Sequence, residues 1–191
     1  MERLICSILE ESISIKREFI KKNIANIISL SKKIAKAFSE NNKLLLCGNG
    51  GSAADAQHIA AEFVNRFIIE RTPLPAIALT TDTSIITSIA NDYSFEHVFS
   101  KQIKAIGRSG DVMLAISTSG NSENVIQAVK TAKDMGIYTA GLTGGDGGRL
   151  ARIVDIPIIV GSNSVPRIQE CHIMAGHIIC QLVDHILFEK E

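Results

Sequence analysis

The chain has 191 residues, of which 46% are hydrophobic and 21% are charged, and its acidic and basic side chains balance to a formal net charge of zero. A chain of this length can bury one hydrophobic core, so we expect a single domain over residues 1–191. The balanced charge, without a basic stripe, disfavours nucleic acid as a partner. The amino terminus lacks the apolar core of a signal peptide, and no apolar stretch is expected to reach membrane-spanning length. We therefore expect a cytoplasmic protein with no membrane partner.

The four cysteines are expected to be reduced and buried. Cys6, Cys47, Cys171 and Cys180 form no CxxC pair and lie within apolar patterns. This usage is typical of a reducing compartment, so we expect no disulfide and no metal on these thiols.

The hydrophobic pattern changes period after residue 40. Residues 2–40 carry apolar side chains at helical spacing and predict one long helix or two consecutive helices. Short apolar runs then alternate with helical patterns. The predicted strands are 43–47, 75–79, 111–117, 137–143 and 154–160, and the predicted helices lie near 52–66, 83–90, 95–106, 122–135 and 165–189.

This alternation predicts an α/β fold. Continuously apolar strands are typical of a sheet that is buried on both faces. Strands alternating with helices indicate right-handed crossovers, so residues 41–191 should form a doubly wound five-stranded parallel sheet flanked by helices. Residues 1–40 form an N-terminal helical extension, which we expect to act in oligomerisation, although its helices could also pack only within the subunit.

Two polar loops follow predicted strands, at the edge where such sheets bind ligands. The first is "GNGGS" after strand 43–47, and the second is "STSGNS" after strand 111–117. The first matches GxGxxG only loosely and no GK[ST] follows, which disfavours a nucleotide. The second could be an ordinary helix cap, but a cap needs one such residue and here five of six are polar. Hydroxyls and N–H groups at a helix N-terminus bind phosphate, so we predict a phosphate site that includes Ser117, Thr118, Ser119 and Ser122.

Two predicted helices carry groups suited to metal binding or proton transfer. His58 and Glu62 are four residues apart and lie within reach of a common atom. Gln169 and His177 are eight apart and share one broad face of the last helix. Either pair alone is more often structural, but together with phosphate loops they could bind a divalent metal such as zinc or carry acid–base chemistry. His172 lies on another side of that helix and is expected to be packed or at an interface.

Three further polar residues leave alternatives open. Asn91 and Asp92 could hydrogen-bond sugar hydroxyls, or simply end a helix. Arg66, one turn past Glu62, could pair with that carboxylate, contact a substrate, or be solvated.

The segments "CGNGGSAADAQHIAAEF", "TSIANDYSF", "STSGNSENV" and "RIQECHIMAGHIIC" together resemble the phosphoheptose isomerases of the sugar isomerase (SIS) superfamily, over almost the whole chain. The resemblance implies a SIS domain and an enzyme that interconverts an aldose and a ketose. Its reaction would convert D-sedoheptulose 7-phosphate to D-glycero-D-manno-heptose 7-phosphate through an enediol, the first step of activated heptose biosynthesis for lipopolysaccharide core or capsule. The resemblance also implies a cytoplasmic homotetramer with active sites at subunit interfaces and one zinc per subunit.

Carried over residue by residue, the resemblance implies that zinc is held by His58, Glu62, Gln169 and His177. We expect Glu62 to move the carbon-bound proton and His177 to serve the oxygens. A glutamate that ligates zinc loses basicity, so these two roles of Glu62 compete. The implied substrate contacts are Asn49, Gly50, Gly51, Ser52, Glu62, Asn91, Asp92, Ser117, Thr118, Ser119, Ser122 and Gln169.

Two other classes of protein share parts of this pattern. One is a non-catalytic SIS-fold protein that binds the bacterial replication initiator, and it lacks the catalytic glutamate and the second histidine, whereas Glu62 and His177 are present here. The other is a regulatory SIS domain that senses a sugar phosphate, and it would have the phosphate loop without the Glu, Gln and His set.

Overall fold

The structure is a computed structural model that describes residues 1–189. Five parallel strands form one sheet in the order β2-β1-β3-β4-β5. All five predicted strands are confirmed, with ends that agree to within two residues. The strands are β1 Leu44–Gly48, β2 Ala76–Ala78, β3 Val112–Ser117, β4 Tyr138–Gly144 and β5 Ile156–Val160.

Seven α-helices and one short 3-10 helix surround the sheet in the described part of the chain. The helices are α1 Glu2–Ser39, α2 Gly51–Val64, α3 Thr83–Asp92, a 3-10 helix Phe95–His97, α4 Ser100–Ile106, α5 Glu123–Asp134, α6 Gly148–Ile153 and α7 Val165–Phe188.

One helix prediction left two alternatives open, and two others need correction. The N-terminal extension is one continuous helix, α1, which is the first of its two predicted alternatives. The predicted helix 95–106 is broken, because Ser94 caps a 3-10 turn whose geometry does not continue into α4. Helix α6 was not predicted, since six residues are too few to show a helical period, and it begins at Gly147 and Gly148, whose φ angles are 89° and 58°.

The sheet buries both faces, which confirms the doubly wound α/β fold. Alternate residues of β1 separate into two cores: Leu44 and Leu46 pack with α1, α2 and α7, whereas Leu45 and Cys47 pack with α4, α5 and α6. Each cluster joins apolar strand residues to apolar residues of the covering helices, as expected for a parallel sheet that is covered on each side.

Helix α1 closes one edge of the sheet and then extends beyond it. The Asn23 side chain donates to the Ile159 carbonyl at 3.1 Å and accepts from the Ile159 N–H at 3.2 Å, while Asn26 donates to the Pro157 carbonyl at 2.7 Å. These bonds satisfy the backbone groups of edge strand β5. Residues 1–11, by contrast, are all exposed, and the helical part of this segment is about 15 Å long.

Two sequence expectations about apolar segments are wrong. Cys6 is exposed on α1, although Cys47, Cys171 and Cys180 are buried as predicted and all four thiols are free. Helix α7 is long and apolar enough to cross a membrane by length and composition alone, contrary to the expectation that no stretch reaches that length. Core helices pass the same test, and α7 packs against α1, α2 and β4.

Candidate active site

The two polar loops lie side by side and are hydrogen-bonded to each other. They follow β1 and β3, which are neighbours in the sheet with Gly48 opposite Ile116. Asn49 in the first loop and Asn124 at the start of α5 exchange two hydrogen bonds of 2.9 Å through their side-chain amides. Asn124 is buried and also accepts a bond from the Val125 N–H, which fixes its orientation. The first loop is therefore held against the start of α5.

Ser122 occupies the N-cap position of α5 but does not cap the helix with its side chain. Its hydroxyl instead lies 3.1 Å from that of the buried Ser117. Thr118 and Ser119 line a cavity of about 360 Å³ at the carboxyl ends of the strands. The hydroxyls of Ser117 and Ser122 therefore meet at the N-terminus of a twelve-residue helix, an arrangement that favours a phosphate group.

His58, Glu62 and His177 come together from two helices that are far apart in sequence. The His58 Nε2 lies 3.1 Å from Glu62 Oε1 and 3.4 Å from the His177 Nε2. The three potential ligand atoms all lie within 4.8 Å of one another. The ring of Phe67 stacks on His177, with centroids 5.4 Å apart. We refer to His58, Glu62 and His177 as the triad.

The donor set of the triad fits zinc. Zinc takes nitrogen and oxygen ligands at about 2.0–2.2 Å in tetrahedral geometry, so two donors on one ion lie about 3.4 Å apart. The 3.4 Å between the two imidazole nitrogens and the 3.1 Å from His58 to Glu62 are close to that separation. The triad would leave the fourth position of a tetrahedral ion to another residue, a water or a substrate.

Gln169, on α7, places its side-chain amide against the start of α2. Among the described residues, no hydrogen bond joins this amide to the triad. A Cβ atom on Gly51 would overlap the Gln169 amide nitrogen and would lie 2.9 Å from its Cδ. Glycine at position 51 therefore makes the room that this amide occupies. Gln169 is two helical turns before His177 on α7, about 12 Å along the helix axis.

Helices α2 and α7 pack in parallel, so their contacts follow a common register. Gly51 faces Gln169 and His58 faces His177. Gly176 allows the close approach, because a Cβ there would lie 2.6 Å from the Ile59 Cδ1 atom.

The structure does not join Asn91, Asp92 or Arg66 to this site within one chain. Asn91 and Asp92 are exposed at the end of α3 and bond each other at 2.9 Å. Arg66 is exposed and pairs with Glu70 at 3.5 Å, rather than with Glu62. Of the remaining predicted contacts, Ser52 is buried in the first turn of α2. Gly50 precedes it with a φ of 54°.

His172 is packed, as one of its two expected alternatives required. It is fully buried, and its Nε2 lies 3.1 Å from the Thr143 carbonyl of β4. Burial lowers the pKa of His172 to about 4, against the partly opposing hydrogen bond to Thr143. The ring is therefore neutral at physiological pH and donates from Nε2.

The sequence analysis missed Asp55, which lies one turn before His58 on α2. Burial raises the pKa of Asp55 to about 6, although the nearby His58 lowers it in part. The buried Oδ2 atom of Asp55 has no hydrogen-bond partner among the described residues. The spacing of Asp55, His58 and Glu62, at i, i+3 and i+7, could have revealed it, because such residues share one helix face.

Comparison with known proteins identifies the class and then the family. The sequence model of the SIS domain matches residues 9–144, more than half of the chain, so this is a SIS-domain protein. The chain is 50% identical over 180 residues to a phosphoheptose isomerase of Nitratidesulfovibrio vulgaris, covering 94% of this chain and 86% of that one. The chain belongs to the phosphoheptose isomerase family, which confirms the predicted fold, enzyme class and function.

Solved structures agree with this assignment. A phosphoheptose isomerase from Neisseria gonorrhoeae superposes with a TM-score of 0.90 at 44% identity, covering 96% of this chain and 98% of that one. One from Francisella tularensis superposes with a TM-score of 0.92 at 39% identity, covering 96% of this chain and 97% of that one.

Proposed function

We propose that the protein interconverts D-sedoheptulose 7-phosphate and D-glycero-D-manno-heptose 7-phosphate, with the phosphate on the "STSGNS" loop and the reacting carbons at the triad. One observation carries the proposal: two helices bring a carboxylate and two imidazoles together, and α2 begins at the first polar loop. His58 lies seven residues after Gly51, about 10 Å along α2. That separation is of the order of the length of an extended seven-carbon sugar phosphate.

The chemistry needs a base for carbon and an acid for oxygen. A base removes a proton from C1 of the ketose while the C2 carbonyl oxygen is protonated, which gives an enediol. Loss of the O1 proton and protonation of C2 then give the aldose. Glu62 moves the carbon-bound proton and His177 exchanges the oxygen-bound protons, since both side chains lie within 3.4 Å of the His58 Nε2 atom and can reach the same pair of carbons.

The phosphate loops contribute to the rate through binding energy. The hydroxyls of the second loop and the backbone of the first grip the phosphate at a distance from the reacting carbons. That remote binding energy holds C1 and C2 against the triad, which lowers the entropic part of the barrier. The first-loop contacts are Asn49, Gly50, Gly51 and Ser52, and the second-loop contacts are Ser117, Thr118, Ser119 and Ser122.

We also propose one zinc ion per subunit, held by His58, Glu62 and His177 with Gln169 as a further ligand. The donor types and the separations within the triad support this ion. When bound, zinc would polarise the carbonyl and enediolate oxygens as a Lewis acid.

A homotetramer with active sites at subunit interfaces is the proposed assembly. Within residues 1–11, the large apolar side chains of Leu4, Ile5, Ile8 and Leu9 are all exposed, at 43–67%. Helix α3, which carries Asn91 and Asp92, has no buried residue. Such surfaces favour association with further copies, which would also bring Asn91 and Asp92 to the site of a neighbouring subunit.

The product would enter activated heptose biosynthesis for lipopolysaccharide core or capsule, in the cytoplasm. The four free thiols support a reducing compartment.

Turnover of sedoheptulose 7-phosphate by the chelator-treated protein, with and without added zinc, tests the proposal. Product NMR in deuterated water should show an aldoheptose 7-phosphate with deuterium at C2, formed only with zinc. Deuterium at C2 reports the enediol, because a hydride shift would not exchange with solvent. If the protein binds the sugar phosphate but shows no turnover with any added metal, the proposed reaction is wrong.

Replacement of Glu62 by Gln tests its role as the base. We expect turnover to fall by at least about 10²-fold with substrate binding largely kept, because the amide cannot accept the proton. Glu70→Gln is the matched control, since Glu70 is solvent-exposed and its one ion-pair partner within residues 1–189 is Arg66. Near-normal turnover in Glu62→Gln would eliminate Glu62 as the base.

A further inference from the structure

Arg71, in the segment between α2 and β2, is a buried cation that the proposed mechanism does not use. Its side chain is 1% exposed, and its Nε donates to Asp184 Oδ1 at 2.9 Å. Asp184 lies on α7 and is 5% exposed. Among the described residues its Oδ2 has no partner, so the buried carboxylate depends on Arg71 for its countercharge.

The other nitrogens of Arg71 cap the end of α2. Nη2 donates to the Glu62 carbonyl at 2.9 Å, and Nη1 donates to the Phe63 carbonyl at 2.7 Å and the Asn65 carbonyl at 3.2 Å. These carbonyls belong to the last turn of α2 and its C-cap residue Asn65, where intrahelical donors run out. No basic residue lies in the last turn of α2 itself, so Arg71 supplies its positive charge from the following segment.

The same contacts join the two helices that carry the triad. Arg71 bonds the backbone of Glu62 on α2, and it bonds Asp184, which lies seven residues after His177 on the same face of α7. The segment that Arg71 anchors also carries Phe67, whose ring stacks on His177 at an interplanar angle of 28°. Arg71 therefore bonds the backbone of one proton-transfer residue and anchors the segment whose Phe67 ring packs against the other.

We infer that the Arg71–Asp184 pair sets the spacing of α2 and α7 at the triad, which makes Arg71 a positioning residue for the isomerisation. This inference rests on the proposed roles of Glu62 and His177. The planar fork of arginine bonds several fixed acceptors at once, whereas the lysine ammonium is a point charge on a flexible stem. Small displacements of reacting groups cost rate, so a loosened pair should lower kcat even while the protein stays folded.

Arg71→Lys and Asp184→Asn test the inference below the melting temperature of each variant. Arg71→Lys keeps the charge beside Asp184 but loses most of the carbonyl bonds. We expect kcat to fall at least about tenfold in both variants, with KM within about threefold of the original value. The Cε1–H resonance of His177, which the ring current of Phe67 displaces, should move towards its unstacked position. That resonance is measured without substrate or metal.

Asp111→Asn is the matched control for loss of a buried ion pair. Asp111 is 1% exposed and accepts from Lys43 Nζ at 2.7 Å, at the opposite edge of the sheet from the loops. Its variant should lose stability while kcat and the His177 resonance stay unchanged. If Arg71→Lys and Asp184→Asn likewise lose stability with no change in kcat or in the His177 resonance, the pair is purely structural and the inference is wrong.

Variants that do not fold and an unaltered protein without turnover lead to different conclusions. If neither variant folds, Phe67→Leu keeps an apolar side chain against the core but removes the ring that stacks on His177, and a wild-type kcat in that variant would overturn the inference. If the unaltered protein does not turn over sedoheptulose 7-phosphate, the proposed function fails. The resonance of His177 still decides whether Arg71 positions the ring.

Discussion

Gly51→Ala should lower kcat/KM while leaving the free energy of unfolding almost unchanged. Gly51 is the first residue of α2, and the room above it is filled by the Gln169 amide. An added Cβ would overlap the amide nitrogen and would lie 2.9 Å from Cδ, against an ordinary contact of at least 3.4 Å. Because glutamine is flexible, its amide should rotate away by about 1 Å while the helix stays in place.

The two effects differ widely in size. Replacing glycine stabilises by about 0.4–1 kcal/mol through the unfolded state, and an off-rotamer Gln169 costs about 0.5–1.5 kcal/mol, so the net change is near zero. The melting temperature should therefore move by no more than about 3 °C. A misplacement of about 1 Å can cost on the order of 10²-fold in rate, so we expect kcat/KM to fall between about 10-fold and 100-fold.

Steady-state kinetics and a thermal melt of the same preparation measure both quantities. Gly161→Ala is the control, because a Cβ at Gly161 meets no atom within 4 Å and its φ is not positive. Gln169→Ala should reproduce the loss of kcat/KM. If Gly51→Ala and Gln169→Ala both keep the original kcat/KM, the amide of Gln169 has no role in the reaction and this reasoning is refuted.

Three other predictions concern pH, phosphate binding and assembly. The pKa of His172 is about 4 in the folded protein and 6.5 in the unfolded chain, so the unfolded chain takes up the proton first as pH falls. The contribution of neutral His172 to the free energy of unfolding is therefore complete above pH 6.5 and is lost as pH falls to 4. Urea unfolding should show that about 2 kcal/mol of this free energy is lost between pH 7.5 and 5, and that His172→Gln lacks this loss. An equal dependence of the unfolding free energy on pH in both proteins would contradict the prediction. Ser122→Ala should raise KM by about 10-fold with kcat nearly kept, because a bond to a charged phosphate is lost; an unchanged KM would exclude Ser122 from the phosphate site. The double substitution Ile5→Asp and Leu9→Asp should dissociate the proposed tetramer, as measured by light scattering, whereas an unchanged oligomeric mass would place the interface elsewhere.

The sheet was predictable from sequence because each strand is a continuous apolar run between turn residues. Leu44, Leu45 and Leu46 are all fully buried, so this apolar run directly reflects a strand that is covered on both faces. Helix α6 was not predictable from its period, and it forms because the preceding glycines reach positive φ beside the second loop. The backbone contact of Gly120 with Gly147 in that region depends on the folded sheet order, which a hydrophobic pattern does not contain.

The triad was predictable as residue types but not as an arrangement. Helical spacing alone places His58 beside Glu62, and the bond of 3.1 Å confirms this neighbourhood. The contact between His58 and His177 requires α2 and α7 to lie on the same face of the sheet, and only the tertiary structure shows that. Asn91 and Asp92 remain a prediction, because both lie exposed at the end of α3, away from the triad of the same chain.

The topology explains why distant segments meet residue by residue. Helix α2 follows β1 and α7 follows β5, and both strands are parallel. Each helix therefore starts at the carboxyl edge of the sheet and runs back along it, so the two helices are parallel to each other. Residues at similar depths must then face each other, as Gly51 faces Gln169 and His58 faces His177. The meeting of His58 and His177 two turns beyond the Gly51–Gln169 contact follows from that one geometric relation.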